Sequence, residues 1–325
     1  MQKLIGSTYW YIAWQTLFKT SPPEERHGVL AAISNHDPSQ PQTNQAITHE
    51  KIMPPNPIFQ SPSRFLLIAS IGNLSAPYTL TRHSAGHTLL DAVEPLLYER
   101  IGLRHAASSP ITASKKQTLF YETYKCPSLM NISGPPVLRK LRQWMQDYRR
   151  VHQTLISSTP QAAENTTADD GTVLAVCRGS SSSSSSSSSL IDIDISRVKP
   201  VFRPTLVILH DELEAKPGAI QLKRGDARSA SLRGHRGLIS VFESLSGAGL
   251  LAKDPRVVAG VGESSRDTDE LAVLRVGFGI GRPNTRERDA VSEYVLTTMS
   301  EQELRMVRAA APTVVELLVR EMYRT

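Results

Sequence analysis

With 325 residues, 40% of them apolar, and a formal charge of +6 at a pI near 9.3, the chain has room for one large domain or two small ones and favours a polyanionic partner. Its two cysteines, Cys126 and Cys177, have no Cys-x-x-Cys spacing, which argues against a disulfide framework or a zinc ribbon. No apolar run approaches the roughly 18 residues needed to cross a bilayer, so no membrane partner is expected.

The first 23 residues hold two lysines and no acid, and Leu4, Trp10, Trp14 and Phe18 fall on one helical face. A mitochondrial presequence is acid-poor and amphipathic in this way but usually richer in arginine, and none occurs before Arg26; a mitochondrial location is the expectation and a cytoplasmic one the alternative. From Glu24 to about Ser63 the chain is rich in Pro, Asn, Gln and Ser, so residues 1–63 are expected to form a disordered leader and 64–325 the folded domain. FLLIASI, from Phe65, is a short apolar run bounded by turn residues, as in a buried strand. A helix should follow from about Ser84, with Leu89, Leu90, Val93 and Leu97 facing inward. Lys116 to Tyr124 mixes β-branched and aromatic residues and predicts a strand, and the PPVLRKLRQWMQDYRRVHQ stretch predicts a helix opened by proline.

Between about Ile156 and Pro200 the periodicity dissolves. A run of ten serines, Ser180 to Ser189, leads to the expectation of a disordered surface insertion over about 157–200. Order resumes with an apolar strand at Thr205 to Leu209 that ends in a polar cluster. A glycine-rich loop then opens a helix at RGHRGLISVFESL, LAVLRVGFGIGRP forms another strand, and RDAVSEYVL a short helix. A terminal helix is expected from about Glu301 to Tyr323. Strands alternating with helices indicate an α/β fold: one domain with a mostly parallel twisted sheet and helices on both faces.

Ligands in such sheets collect beyond the carboxyl ends of the strands. Three strand ends carry polar clusters: Asn73 and His83, then Met130 and Asn131, then His210 and Asp211. A histidine with an aspartate partner is suited to take a proton, and amides nearby can orient water and donate to an oxyanion. No G-x-S-x-G, H-E-x-x-H or G-K-[ST] motif is present, and neither cysteine has a motif context. Direct attack by a water that His83 deprotonates is what remains, with no metal and no cofactor required.

Four separated stretches then share one pattern. They are Gly72-Asn73…Tyr78…Thr81-Arg82-His83…Gly86, Met130-Asn131…Ser133-Gly134, His210-Asp211-Glu212-Leu213…Pro217-Gly218, and Gly234-His235…Gly237-Leu238. In this order the chain resembles the bacterial-type peptidyl-tRNA hydrolases, which cleave the ester between a peptide and its tRNA. The resemblance implies His83 as general base with Asp211 as its partner, and Asn73, Tyr78, Met130 and Asn131 lining the substrate site. It further implies peptidyl-tRNA as the partner and a chain that acts as a monomer. The chain departs from the family at Ser70, where glycine is usual, at Leu74-Ser75, where Pro-Gly is usual, and at Arg236, which replaces an asparagine and can donate but not accept. The alternative is a non-catalytic RNA-binding protein on the same fold, of the kind that acts in splicing.

Overall fold

The computed structural model describes residues 59–105, 118–157, 173–178, 190–194, 198, 200–225, 234–251 and 271–324. All belong to the unit from Pro54 to Thr325. Five strands form the central sheet: β2 (Phe65–Ser70), β4 (Tyr121–Lys125), β7 (Pro204–Glu212), β8 (Ile220–Arg224) and β9 (Ala272–Gly279). Their order is β4-β2-β7-β9-β8; the first four are parallel, and β8 alone runs antiparallel, on β9.

The apolar runs explain this layout. All six residues of β2 are buried, as are the first eight of β7, so helices must cover both faces of these central strands. The covering helices are α1 (Ala85–Ile101), α2 (Gly134–Ser157), α3 (Arg236–Gly247), α4 (Arg288–Leu296) and α5 (Glu301–Met322). Helix α2 is amphipathic. It buries Val137, Leu141, Trp144, Tyr148 and Leu155 at helical spacing while Arg139, Arg142, Arg149 and Arg150 stay exposed. Helix α5 starts on a capping box, in which the Ser300 side chain accepts from the Glu303 amide and the Glu303 side chain accepts from the Ser300 amide.

A second sheet of order β1-β6-β5-β3 uses β1 (Phe59–Gln60), β3 (Leu103–His105), β5 (Val173–Arg178) and β6 (Leu190–Asp194). Strands β5 and β6 pair antiparallel within the stretch expected to be a disordered insertion. VLAVCR is β-branched and apolar, and LIDID alternates, so each end of the stretch has a strand pattern of its own. The rest of that stretch, serine tract included, lies outside the described residues apart from Ser157, Val198 and Pro200, and so does the expected leader as far as residue 58.

Boundaries moved at two other points. The strand expected at 116–124 is Tyr121–Lys125, and the one expected at 205–209 continues to Glu212, carrying His210 and Asp211 into the sheet itself.

Candidate active site

The carboxyl ends of β2, β4 and β7 lie side by side, so the loops that leave them share one edge of the sheet. Each contributes to the site.

From β2 the chain passes through Asn73 to a 3-10 turn at Arg82–Ser84 and then into α1. The turn holds because Ser84 is buried and cross-linked. Its Oγ accepts from the Asn73 amide at 3.0 Å and lies 2.8 Å from the Tyr78 carbonyl and 3.1 Å from that of Asn73. Gly86, in the first turn of α1, allows the helix to rest on the strand ends. A Cβ there would lie 2.5 Å from the Leu209 carbonyl oxygen and 2.7 Å from that of Ile71. His83 is thereby delivered to Asp211, with its Nδ1 3.1 Å from both carboxylate oxygens.

Asp211 is buried in the last stretch of β7, and a buried carboxylate needs donors. It has two, His83 Nδ1 and His235 Nε2, the latter 3.0 Å from Oδ1. Burial alone would raise the Asp211 pKa; the charges and hydrogen bonds of His83 and His235 outweigh it and hold the carboxyl well below the usual range. At His83 burial works against protonation, and the charge and hydrogen bond of Asp211 reverse it, leaving the pKa above its ordinary value. With Nδ1–H donating to Asp211, the lone pair of His83 is on Nε2.

His235 was named in the sequence only as part of a motif. In the fold it caps α3, its Nδ1 accepting from the Leu238 amide at 3.2 Å. Histidine is not among the favoured cap residues, so propensity gave no warning of this role. Behind it His210 is buried, its Nδ1 donating to the Asp211 carbonyl at 2.7 Å and its ring 5.3 Å from that of His235. Burial, then the neighbouring His235, bring the His210 pKa down to about 4.

The remaining residues divide. Asn73 is buried, and its Oδ1 accepts from the Met130 amide at 2.9 Å, so the loops after β2 and β4 are joined and the Asn73 amide group is left to donate. Met130 is buried against Gly237, where a Cβ would lie 2.3 Å from its sulfur. Asn131 is exposed in the 3-10 turn Met130–Ile132. Tyr78 is 39% exposed, and it is its carbonyl that braces the loop, accepting from Thr81 and Ser84. Arg236 is exposed at the first position of α3. Of the basic residues between the third and fourth motif stretches, Lys216 is exposed, Lys223 pairs with Glu212 at 2.5 Å, and Arg224 pairs with Glu321 at 2.9 Å towards the amino edge of the sheet, away from Asp211. Arg228 and Arg233 lie outside the described residues.

The donor atoms of His83, Asp211 and His235 lie within 4.8 Å of one another, close enough to surround a metal ion. The hydrogen bonds oppose that use. A metal on His235 Nε2 would move the ring proton to Nδ1, against the Leu238 N–H that Nδ1 now accepts. The cluster is built as a carboxylate shared by two imidazoles.

An open α/β sheet with a carboxylate-paired histidine at its carboxyl edge is the arrangement of an acid–base enzyme. No protein-family model matches the chain. Curated relatives do. A peptidyl-tRNA hydrolase of Saccharomyces cerevisiae is 25% identical over 74% of this chain and 86% of its own length, and one of Frankia casuarinae is 26% identical over 78% and 87%. A probable peptidyl-tRNA hydrolase of Schizosaccharomyces pombe is 30% identical over 35% of this chain, and the match spans 42% of that relative. Among solved structures, a peptidyl-tRNA hydrolase from Acinetobacter baumannii is 20% identical with a TM-score of 0.37, covering 80% of this chain and 91% of its own. With its four motif stretches in order, the chain is similar to the peptidyl-tRNA hydrolases over most of its length.

Proposed function

We propose that the protein hydrolyses the ester joining a peptide to tRNA in prematurely released peptidyl-tRNA, freeing the tRNA for reuse. The observation that carries this reading is the His83 ring, anchored through Nδ1 on the buried Asp211 carboxylate. His83 Nε2 takes a proton from water as the water oxygen attacks the ester carbonyl carbon. Asp211 stabilises the resulting imidazolium, and amide groups of Asn73 and Asn131 donate to the developing oxyanion. The ester C–O bond then breaks, and the imidazolium returns its proton to the leaving ribose oxygen. The products are a tRNA hydroxyl and a peptide carboxylic acid, which releases its proton to solvent to become the carboxylate. Met130 lines the cleft, Tyr78 and the exposed cations Lys216 and Arg236 contact the RNA, and no bound metal takes part in the reaction.

The test is turnover of N-blocked aminoacyl-tRNA. His83→Ala should lower it by about 10²- to 10⁴-fold with substrate binding little changed, the loss typical of a missing general base. Asp211→Asn should also slow it, because an amide cannot stabilise the imidazolium. Turnover should rise with pH through the elevated His83 pKa. Wild-type rates in His83→Ala would refute the assignment and leave non-catalytic RNA binding as the function.

A further inference from the structure

His83 stands on a 3-10 turn of three residues, too short to fix a side chain by its own hydrogen bonds. Its immediate neighbour, Arg82, is held from the other end of the chain. Arg82 Nε donates to Glu303 Oε1 at 2.6 Å, Nη2 to Oε2 at 3.2 Å, and Nη1 to the Tyr294 carbonyl at 3.1 Å. The guanidinium also lies 4.3 Å from the centre of the Tyr294 ring. The backbone follows the same path. The Arg82 amide donates to the Thr297 carbonyl at 3.1 Å, Thr81 bridges to Thr298, and the Met299 amide donates to the Leu80 carbonyl at 2.9 Å.

Tyr294 reaches the other half of the pair as well. Its hydroxyl donates to the Ile280 carbonyl at 2.7 Å, and the Ile280 amide donates to the Glu212 carbonyl at 3.1 Å, one residue from Asp211. One side chain on α4 therefore touches Arg82, in the turn that carries His83, and is linked through Ile280, just past β9, to the strand end that carries Asp211. Helix α4 has no fully buried residue, so apolar packing alone does not set its place. Glu303 is fixed in turn, since its Oε2 accepts from the Ser300 amide at 2.7 Å within the α5 capping box. A forked arginine pair at 16% and 21% side-chain exposure is more directional than an open surface pair.

We propose that Arg82, Tyr294 and Glu303 are positioning residues that hold His83 and Asp211 at their working separation, an inference that rests on His83 being the base. The corner between α4 and α5 then belongs to the catalytic apparatus without touching substrate. Small displacements of a base are expensive, about 10²-fold in rate for 1 Å, so a brace on both halves of the pair has a direct kinetic consequence.

The experiment compares Arg82→Lys, Tyr294→Phe and Glu303→Gln with Ser300→Ala, which weakens the same helix start without removing an Arg82 contact. Each is assayed for kcat, KM and the pH midpoint of turnover on N-blocked aminoacyl-tRNA, for Tm, and for the His83 ring pKa by NMR titration. The first three should lose about 10- to 100-fold in kcat with KM little changed. Their His83 pKa and pH midpoint should fall together, because a looser Asp211 contact raises that pKa less. Ser300→Ala should lower Tm and leave kcat and the midpoint unmoved. If the three brace variants lose only Tm, keeping wild-type kcat and midpoint below their melting temperatures, the proposal is overturned while the general-base reading stands. Full turnover in His83→Ala would overturn both.

Discussion

His235 donates from Nε2 to the same Asp211 oxygen that His83 faces, while its Nδ1 accepts from the Leu238 amide at the start of α3. The two bonds settle its tautomer: the proton is on Nε2. One carboxylate is thus held on one side by an imidazole anchored at both ring nitrogens, leaving the other side for His83. His235 is the partner fixed at both nitrogens, and His83 keeps its Nε2 for the proposed proton transfer.

His235→Ala should therefore do two things at once. Losing a helix cap costs about 1 kcal/mol, and removing a donor from a buried carboxylate about 1.5–3 kcal/mol, so Tm should fall clearly. Turnover should fall too, since Asp211 is no longer held from behind. His235→Asn retains a favoured cap residue, and should recover more of the stability than of the activity. Equal recovery of both would show that the Asp211 contact has no kinetic role.

Stability should decline from neutral pH towards pH 4. Burial keeps His87 and His210 neutral in the fold, each with a pKa of about 4 against 6.5 when unfolded. Between those values the unfolded chain binds protons that the folded chain refuses, and each such proton costs up to about 1.4 kcal/mol of stability per pH unit. Asp211 adds to the trend: its depressed pKa supplies stability that is present above the unfolded value of 3.8 and is lost as the pH falls below it. His83, with a raised pKa, acts in the opposite sense; its contribution is complete below 6.5 and is lost as the pH rises through the folded value. Denaturant midpoints measured from pH 7 to pH 4 should fall, and a flat profile would contradict the buried neutral state of the two histidines.

Where the sequence carried strong periodicity, structure followed it. The inward set Leu89, Leu90, Val93 and Leu97 is buried as expected, and the apolar runs at Phe65 and Thr205 are the two central strands. The pairing of His83 with Asp211, 128 residues apart, came from motif order, since no local pattern encodes such a contact. Strand β8, partly exposed along its length at the sheet edge, and the β5–β6 pair beside the serine tract had signals too short to stand out. His235 escaped because its position depends on a cap that histidine seldom makes and on a carboxylate from another strand.

Gly86 fits where no other residue can. A methyl group there would press on two backbone oxygens, Leu209 at 2.5 Å and Ile71 at 2.7 Å, and backbone cannot rotate aside as a side chain can. Gly86→Ala should cost about 1–3 kcal/mol through overpacking. It should also push the start of α1, and the turn carrying His83, away from the strand ends. Activity per folded molecule should fall with stability; full specific activity at low temperature would show that the helix can shift without moving the base.

Asn73 offers a sharper separation of roles. Its Oδ1 is committed to the Met130 amide at 2.9 Å, a bond that joins the loops after β2 and β4. Its Nδ2 group is the part available to substrate. Asn73→Asp keeps an acceptor for Met130 and so should leave the loop junction and the fold in place. It removes the donor and puts a negative charge on a loop of the same site as Asp211, which should raise the His83 pKa further and move the pH midpoint of turnover upward. Asn73→Ala removes both contacts and leaves the buried Met130 amide without its acceptor, at a cost of about 1–3 kcal/mol. The expected order in stability is wild type, Asn73→Asp, Asn73→Ala. In turnover both variants should be poor, because neither can donate to an oxyanion. If Asn73→Asp turned over as fast as wild type, the side chain would be a loop junction only, and the donor would have to be sought at Asn131 instead.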